Sequence, residues 1–347
     1  MKLRKIQIIR LIPACFCILT VLILMLINQS LSGLLPSQQA GERWQSDGKA
    51  SQISIFLRPE AEFSAESIPA LHEKINDALT AKSLQPENKQ ARLWCDAYST
   101  QAGQAEITGN RKEISKALVT VIGGDFFLIH APELVSGVYL SEQDLMHDRV
   151  VIDTQLAWEL FGSSDVAGME ITVQEQTCLI AGVIQPEQDY ASKTAYGTMP
   201  RIYLSYDFYE KNWNTEAKIS CYEAVLPNPV RNFAQELLKN SLESDENADY
   251  LMKENTNRYK LSRQWDTLKH LRNLVICETV TFPYWENAAR MIEFDTAVIL
   301  LCEIIFAVYP VIYLLYLISK GYRMTEKTLY RKRLAWKNRY RSEIKQI

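Results

Sequence analysis

The spacing of hydrophobic positions changes character twice along the chain. Residues 11–27 read LIPACFCILTVLILMLI without a charge, and Ile8 and Ile9, across Arg10, lengthen the apolar stretch. At about 1.5 Å of helical rise per residue, such a run crosses roughly 30 Å of hydrocarbon. Residues 297–319, AVILLCEIIFAVYPVIYLLYLIS, form a second run of that length, interrupted by one charge at Glu303. Both predict membrane-spanning helices, because a backbone in lipid must satisfy its own hydrogen bonds.

Between the runs the pattern is that of a folded domain. Ile53, Ile55 and Leu57 alternate with polar neighbours, which predicts a strand ending at Pro59. Leu71, Ile75 and Leu79 then recur at helical spacing over residues 69–79. Residues 92–98 and 117–122 read as strands, the second stopped by Gly123-Gly124. Residues 149–152 predict a strand feeding a helix that Asp153 or Thr154 caps, with Leu156, Ala157, Leu160 and Phe161 as its apolar face and Gly162 as its end. Residues 171–173 and 178–183 form a hairpin pattern. Residues 201–206 and 220–225 are further strand candidates, and helices are expected over 230–238 and 261–274. Residues 245–257, charged and Asn-rich, read as a loop, and residues 36–48, polar with Gly41 and Gly48, as a linker. The sum is a mixed α/β domain, in two lobes where short helices interrupt the strands.

Charge gives this arrangement a direction. Lys2, Arg4, Lys5 and Arg10 flank the first run, and ten Lys and Arg follow the second against Glu326 and Glu343. Short Lys/Arg-rich flanks stay cytoplasmic. The chain's net charge of −3 therefore hides basic ends and a middle with an excess of about 14 acidic side chains. The expected plan is a cytoplasmic N-terminus (1–10), a first span (8–29), an extracytoplasmic domain (30–293), a second span (294–319) and a basic cytoplasmic tail (320–347). A cleaved signal peptide is the rival reading of residues 1–30. Its apolar core would be long, and no small-x-small site follows it at once. Its removal would leave the middle on the same side.

The order GGDFFLIHAPELVSGVYLSEQD, RVVIDTQLAWELFG, SSDVAGMEITVQ and CLIAGVIQ resembles the periplasmic core domain of MacB-like ABC-transporter permeases. Asp125-Phe126-Phe127 with Gly137 matches the family's first element, and Leu160-Phe161-Gly162 its helix end. Asp165-Val166-Ala167-Gly168 matches the turn in its outer residues, with Val166 where proline is usual, and Ile180-Ala181-Gly182-Val183 matches the last strand loosely. The resemblance is close over about residues 120–185. It implies a two-lobed MacB-like α/β core between membrane helices in a bacterial plasma membrane, with a separate ABC ATPase and membrane permease subunits as partners. Family permeases carry four membrane helices, three after this domain; one is read here, which implies a short accessory form, homo- or hetero-oligomeric. The function expected is a noncatalytic membrane subunit of an export or envelope-remodelling complex. The alternative is a membrane-tethered sensor or binding module.

Chemistry adds little to this. No G-x-x-x-x-G-K-[ST] loop is present to cradle phosphates, so no nucleotide cofactor is expected and any ATPase is another chain. Gly123-Gly124 reads as a turn. His72, His130, His147 and His270 lack metal-ligand spacing, and no nucleophile elbow presents a serine, so neither metal site nor enzyme is expected. Cys15, Cys17 and Cys302 fall in the apolar runs. Cys95, Cys178, Cys221 and Cys277 fall outside, where three complete disulfide pairings or buried free thiols are all open. Glu303 is either a carboxylate near the outer leaflet or a contact with a partner helix, which a kink at Pro310 could shape. Leu329, Arg333, Trp336 and Tyr340 mark a face of the basic tail suited to docking or to the membrane interface. The charge alone also serves topology, and nucleic acid is not an expected partner. Pro283-Tyr284-Trp285, with Arg290 for snorkelling, reads as an outer-leaflet anchor.

Overall fold

The computed structural model describes residues 2–344 apart from 46, 59, 62, 87, 89–90, 110–113, 143, 145–146, 215–216, 243–249 and 272–280. The chain forms two compact units: Met1–Leu31 with Thr296–Ile347, and Ser32–Asp295.

After the first helix, α1 (Lys2–Ser32), the second unit begins with a 3-10 turn (Pro36–Gln38) and α2 (Ala40–Trp44). These lie where the composition reads as a linker. Leu35, Ser37, Gln38 and Ala40 are buried, so the segment is part of the fold. It is held through its backbone: the Ala40 amide donates to Gln52 Oε1 at 2.9 Å, and Gln52 Nε2 donates to the Ser37 carbonyl at 2.6 Å. Polar composition alone cannot reveal that one glutamine 12 to 15 residues on satisfies this backbone.

The strands are β1 (Ala50–Leu57), β2 (Cys95–Thr108), β3 (Ile114–Gly124), β4 (Glu133–Gly137), β5 (Arg149–Asp153), β6 (Glu170–Val173), β7 (Gln176–Gln185), β8 (Arg201–Ser205), β9 (Cys221–Pro227) and β10 (Tyr250–Glu254). Among the described residues they lie in one sheet ordered β10-β1-β9-β2-β3-β8-β5-β7-β4. The β3–β8 and β5–β7 pairs are parallel and the others antiparallel. Because β6 pairs with both β2 and β7, strands β2, β3, β8, β5, β7 and β6 close into a ring, and β10, β1 and β9 extend from it. The segment expected as a loop at 245–257 thus contains an edge strand, β10, with Leu251 opposite Phe56 and Met252 opposite Ile55. Its partner, β1, is nearly 200 residues away, so local composition understates its order.

Helices α3 (Ile68–Ala81), α4 (Phe126–His130), α5 (Thr154–Phe161), α6 (Tyr190–Tyr196), α7 (Tyr206–Asn212), α8 (Phe233–Ser241) and α9 (Leu261–Lys269) complete this unit, before α10 (Tyr284–Ile344) leaves it. The α3 face predicted by spacing is buried at Ile68, Leu71, Ile75 and Leu79. Asp153 caps α5 by accepting the Leu156 amide at 2.8 Å, and Gly162 closes it with φ +68°. Helix α8 starts three residues after the expected Val230. Asn232 turns the chain at φ +64°, and Asn228 accepts the Ala234 amide.

Alternation along the strands separates two chemically different faces. Ile53, Ile55, Val150, Ile152, Ile202, Leu204, Ala224 and Leu226 join one apolar core, which also takes in α3, α5 and α8. Their neighbours on the opposite face mix aromatics such as Phe56 and Tyr203 with polar Ser54, Asp153, Arg201 and Glu223. All eight residues of β1 are buried. The polar positions of its alternation therefore meet hydrogen-bond partners within the protein rather than water.

In the first unit, α1 and α10 present apolar side chains outward, including Ile12, Phe16, Leu26, Val311, Ile312 and Leu315. Outward apolar surface on two helices of spanning length is what a lipid solvent requires. With the charge asymmetry, this makes the chain a two-pass membrane protein with a central extracytoplasmic domain.

Candidate functional site

The mixed face receives the first turns of α10. Tyr284, Trp285, Ala288, Ala289 and Ile292 are buried there, the alanines allowing close approach of the helix. Tyr284 and Trp285 are therefore core residues of the ectodomain, not the outer-leaflet anchor that their position before the apolar run suggests. The Arg290 guanidinium lies 4.4 Å over the Phe282 ring.

Three buried polar centres surround this helical root. In the first, Arg258, in the turn after β10, donates from Nη1 and Nη2 to both Glu286 oxygens at 2.7 and 2.8 Å, and from Nε to Glu293 at 2.9 Å. Glu286 and Glu293 are two turns apart, so one guanidinium reaches both. Thr267 of α9 donates to Glu293 at 2.9 Å, and Arg258 also reaches Gln38 Oε1. Burial works to lower the Arg258 pKa, but the charges and hydrogen bonds of Glu286 and Glu293 outweigh it and hold the group above its ordinary value. Burial likewise works to raise Glu293, and Arg258 and Lys253 overcome it, leaving that carboxylate below its usual range.

The second centre is built on Asp153, which accepts from the Leu156 amide, the Tyr196 hydroxyl at 2.6 Å and the Arg201 amide at 2.7 Å. The Arg201 guanidinium lies 4.6 and 4.7 Å from the centres of the Tyr196 and Tyr284 rings, which meet each other edge to face at 4.8 Å. Cation–π contacts with both rings, and a hydrogen bond from Nη2 to the Tyr196 carbonyl at 3.1 Å, stabilise a buried charge that makes no salt bridge among the described residues. The third centre joins His130 Nε2 to Glu223 at 2.7 Å; Glu223 accepts from Ser54 at 2.7 Å, and Ser54 from Asn255 at 2.7 Å. The Trp285 ring lies 4.6 Å from the His130 ring. The Arg258 centre bonds α10 directly through Glu286 and Glu293, and the other two meet it through the Tyr284 and Trp285 rings.

On the opposite side, α3 and β2 border a recess of about 310 Å³ lined by His72, Asn76, Arg92, Trp94 and Asp96. His72 Nε2 meets Asp96 Oδ2 at 2.6 Å, and that hydrogen bond raises the imidazole's pKa against the opposing effect of burial. Trp94 donates to Asn76 at 2.9 Å, and Arg92 pairs with Asp125. Among the described residues, no group of three or more His, Cys, Asp or Glu is placed to hold a metal. Cys95, Cys178 and Cys221 are buried free thiols, which decides the state left open for those three; Cys277 lies outside the described residues. Burial pushes the Cys95 and Cys178 thiols up to about 12.

The residues that the sequence marks for contacts all lie in the first unit. Glu303 is buried beside α1, hydrogen bonded by Asn28 of the same chain, which is also buried. Pro310 lines an apolar groove of about 420 Å³ with Ala14, Ile18 and Val21 of α1. Leu329, Arg333 and Trp336 are exposed on the continuous helix that the tail adds to α10, and Tyr340 follows on the same helix. Glu303 and Pro310 thus face α1, while the tail residues form a separate stretch. Arg258 and Arg201 escape sequence reasoning, and Asp153 is read there only as a helix cap, not as the acceptor for Tyr196 and the Arg201 amide. The one available signal was the seven-residue spacing of Glu286 and Glu293 ahead of an apolar run.

The fold and its buried polar centres define an extracytoplasmic α/β domain rooted on a helix that continues into a membrane span. The family model for the MacB-like periplasmic core domain matches residues 16–235, and the chain belongs to that family. Among solved structures, it is similar to the periplasmic region of MacB from Actinobacillus actinomycetemcomitans, with 16% identity over 64% of this chain and 92% of that one and a TM-score of 0.40. It is also similar to the extracellular domain of the noncanonic ABC-type transporter YknZ from Gram-positive bacteria, with 15% identity over 58% and 99% and a TM-score of 0.38. No curated protein matches the chain.

Proposed function

We propose that this chain is a membrane subunit of an ABC-type export or envelope-remodelling assembly, in which a separate ATPase supplies nucleotide chemistry and permease subunits complete the membrane part. The observation that carries the reading is a MacB-like core domain set between two membrane-spanning helices. The ectodomain contacts substrate or an envelope partner. Its recess at His72, Trp94 and Asp96 is the surface offered for this role, since it joins the half-buried Trp94 ring to the partly exposed His72 imidazole. In the membrane, the groove beside Pro310 is apolar enough to seat a permease helix, with Glu303 at the α1 contact nearby. On the cytoplasmic side, Leu329, Arg333, Trp336 and Tyr340 form the docking stretch for the ATPase. Purification of the full chain in mild detergent tests the assignment: an ATP-binding protein and a permease are expected in stoichiometric recovery. Recovery of the isolated chain at every expression level would refute it.

A further inference from the structure

Where α2 meets α4 the ectodomain has a further recess, of about 310 Å³. The rings of Trp44, Phe127 and Tyr139 line it, Tyr139 stacked on Phe127 with ring centres 5.0 Å apart, together with the buried Cys95. The polar tips of these rings are already engaged: Trp44 Nε1 donates to the Leu93 carbonyl at 3.2 Å, and the Tyr139 hydroxyl donates to the Pro132 carbonyl. What the rings offer a ligand is therefore apolar surface.

Arg43 is the one charged residue of the lining, and it stands with Leu128 at the exposed rim. Its guanidinium is held by neutral acceptors, Nη1 donating to the Pro36 carbonyl and Nη2 to the Ile129 carbonyl. Among the described residues it makes no salt bridge, and burial works to lower its pKa with only the Cys95 thiol opposing. The carbonyls fix the guanidinium without neutralising it. Its planar fork of N–H donors matches a carboxylate.

Size and charge narrow the ligand. Small-molecule sites begin at about 300 Å³, so the group admitted here is compact. One guanidinium balances one negative charge. A phosphate carries nearly twice that, and the central domain already has an acidic excess, so a carboxylate suits the recess and a phosphate does not.

We propose that the recess between α2 and α4 binds a compact apolar group bearing one carboxylate, with the carboxylate on Arg43 and the apolar part against Trp44 and Tyr139. Such a group is either a free carboxylic acid or the carboxyl-terminal residue of a peptide. Occupancy does not depend on the assignment of transporter partners, because every lining residue belongs to the ectodomain.

The test uses the full chain in detergent and saturation-transfer difference NMR, with empty micelles as the blank. Phenylacetate is the probe for a free acid and N-acetylphenylalanine the probe for a peptide terminus, while the neutral N-acetylphenylalaninamide is the control. At least one acid is expected to saturate on the protein, the tighter of the two naming the source. The amide should bind about tenfold more weakly or worse, since it forfeits a charge-assisted hydrogen bond. Arg43→Gln should weaken the acid by a similar factor, and Arg43→Lys by less. Because Arg43 also ties α2 to α4, Leu128→Trp supplies an independent arm: it fills the mouth of the recess from an exposed position and should abolish binding. Failure of both acids to saturate above the micelle blank, equal affinity for acid and amide, or undiminished binding in Arg43→Gln or Leu128→Trp overturns the proposal.

Discussion

Replacing Arg258 by Met removes a charge from between two carboxylates that stay buried. The Arg258 side chain is 3% exposed, Glu286 1% and Glu293 10%, and the three contacts span 2.7–2.9 Å. An exposed ion pair is worth about 0–1 kcal/mol, whereas breaking a buried one costs about 3–5 kcal/mol, because the orphaned charge keeps its desolvation penalty. Glu286 loses its ion pair, whereas Glu293 keeps the Thr267 hydrogen bond and the Lys253 charge at 3.9 Å, so Arg258→Met should fall within that range. Replacing all three with Met, Leu and Leu removes every charge together and is expected to recover most of the loss. The pH dependence has a definite sign. Glu293 is held below the ordinary value of 4.5, so its contribution is present above that value and is lost as pH falls through the lower folded value. Acidification below 4.5 should therefore erode the wild type, and the erosion should be smaller in Arg258→Met, where Glu293 has lost the guanidinium that contributes most to holding it low. Urea unfolding of the full chain in detergent, followed by near-ultraviolet circular dichroism of the ectodomain, reads all three. A loss below about 1 kcal/mol for Arg258→Met, or the same acid response in both proteins, would refute the reasoning.

Other expectations follow from single contacts. A Cβ at Gly123 would lie 2.2 Å from the Tyr98 ring across the β2–β3 pair; Gly123→Ala should cost about 1–3 kcal/mol from overpacking, and combining it with Tyr98→Ala should give less than the sum. Asp153→Ala strands the Tyr196 hydroxyl and the Leu156 and Arg201 amides, so a loss of about 3 kcal/mol or more is expected, with Asp153→Asn milder because it keeps the cap. With thiols raised to about 12, Cys95 and Cys178 should resist a soluble maleimide at pH 8 in the folded chain and react once urea unfolds it, as mass spectrometry would record. His72 is raised by Asp96, so the stability it contributes is present below its ordinary value of 6.5 and fades as pH rises through the folded value; an imidazole NMR titration should find that midpoint above 6.5, and Asp96→Asn should bring it down.

What the sequence made legible was whatever depended on local periodicity. The runs that became membrane helices, the α3 face, the Asp153 cap with its Gly162 stop and the hairpin of β6 and β7 all follow from neighbours within a few turns. What failed to show depended on specific tertiary partners, from 12 to about 200 residues away. β10 is a strand because β1 supplies its ladder, and the segment before β1 is ordered because Gln52 satisfies its backbone. The polar centres stayed hidden for the same reason, since Ser54, Glu223 and Arg201 read as the outward half of an alternation until the second covering layer is known. Tyr284 and Trp285 misled in the opposite direction: aromatics before a span suit an interfacial belt equally well as a core, and composition cannot choose between them.

That covering layer also bears on why so much charge is buried at the root of one helix. Tyr284, Ala288, Ala289 and Ile292 would pack against the sheet in several rotations, since small and apolar side chains discriminate weakly among them. A shift of one residue turns a helix by about 100° and would take both Glu286 and Glu293 away from Arg258. Each misregistered root would then bury unpaired charge at a cost of several kcal/mol. The Arg258 centre therefore contributes less to total stability than to the choice of a single register, as a polar residue does at the seam of a coiled coil. The apolar Met-Leu-Leu variant separates these roles: near-normal unfolding midpoints should accompany multiple, exchange-broadened signals for residues of the α10 root. A single sharp set of signals in that variant would show that packing alone fixes the register, and would leave the buried charges without this role.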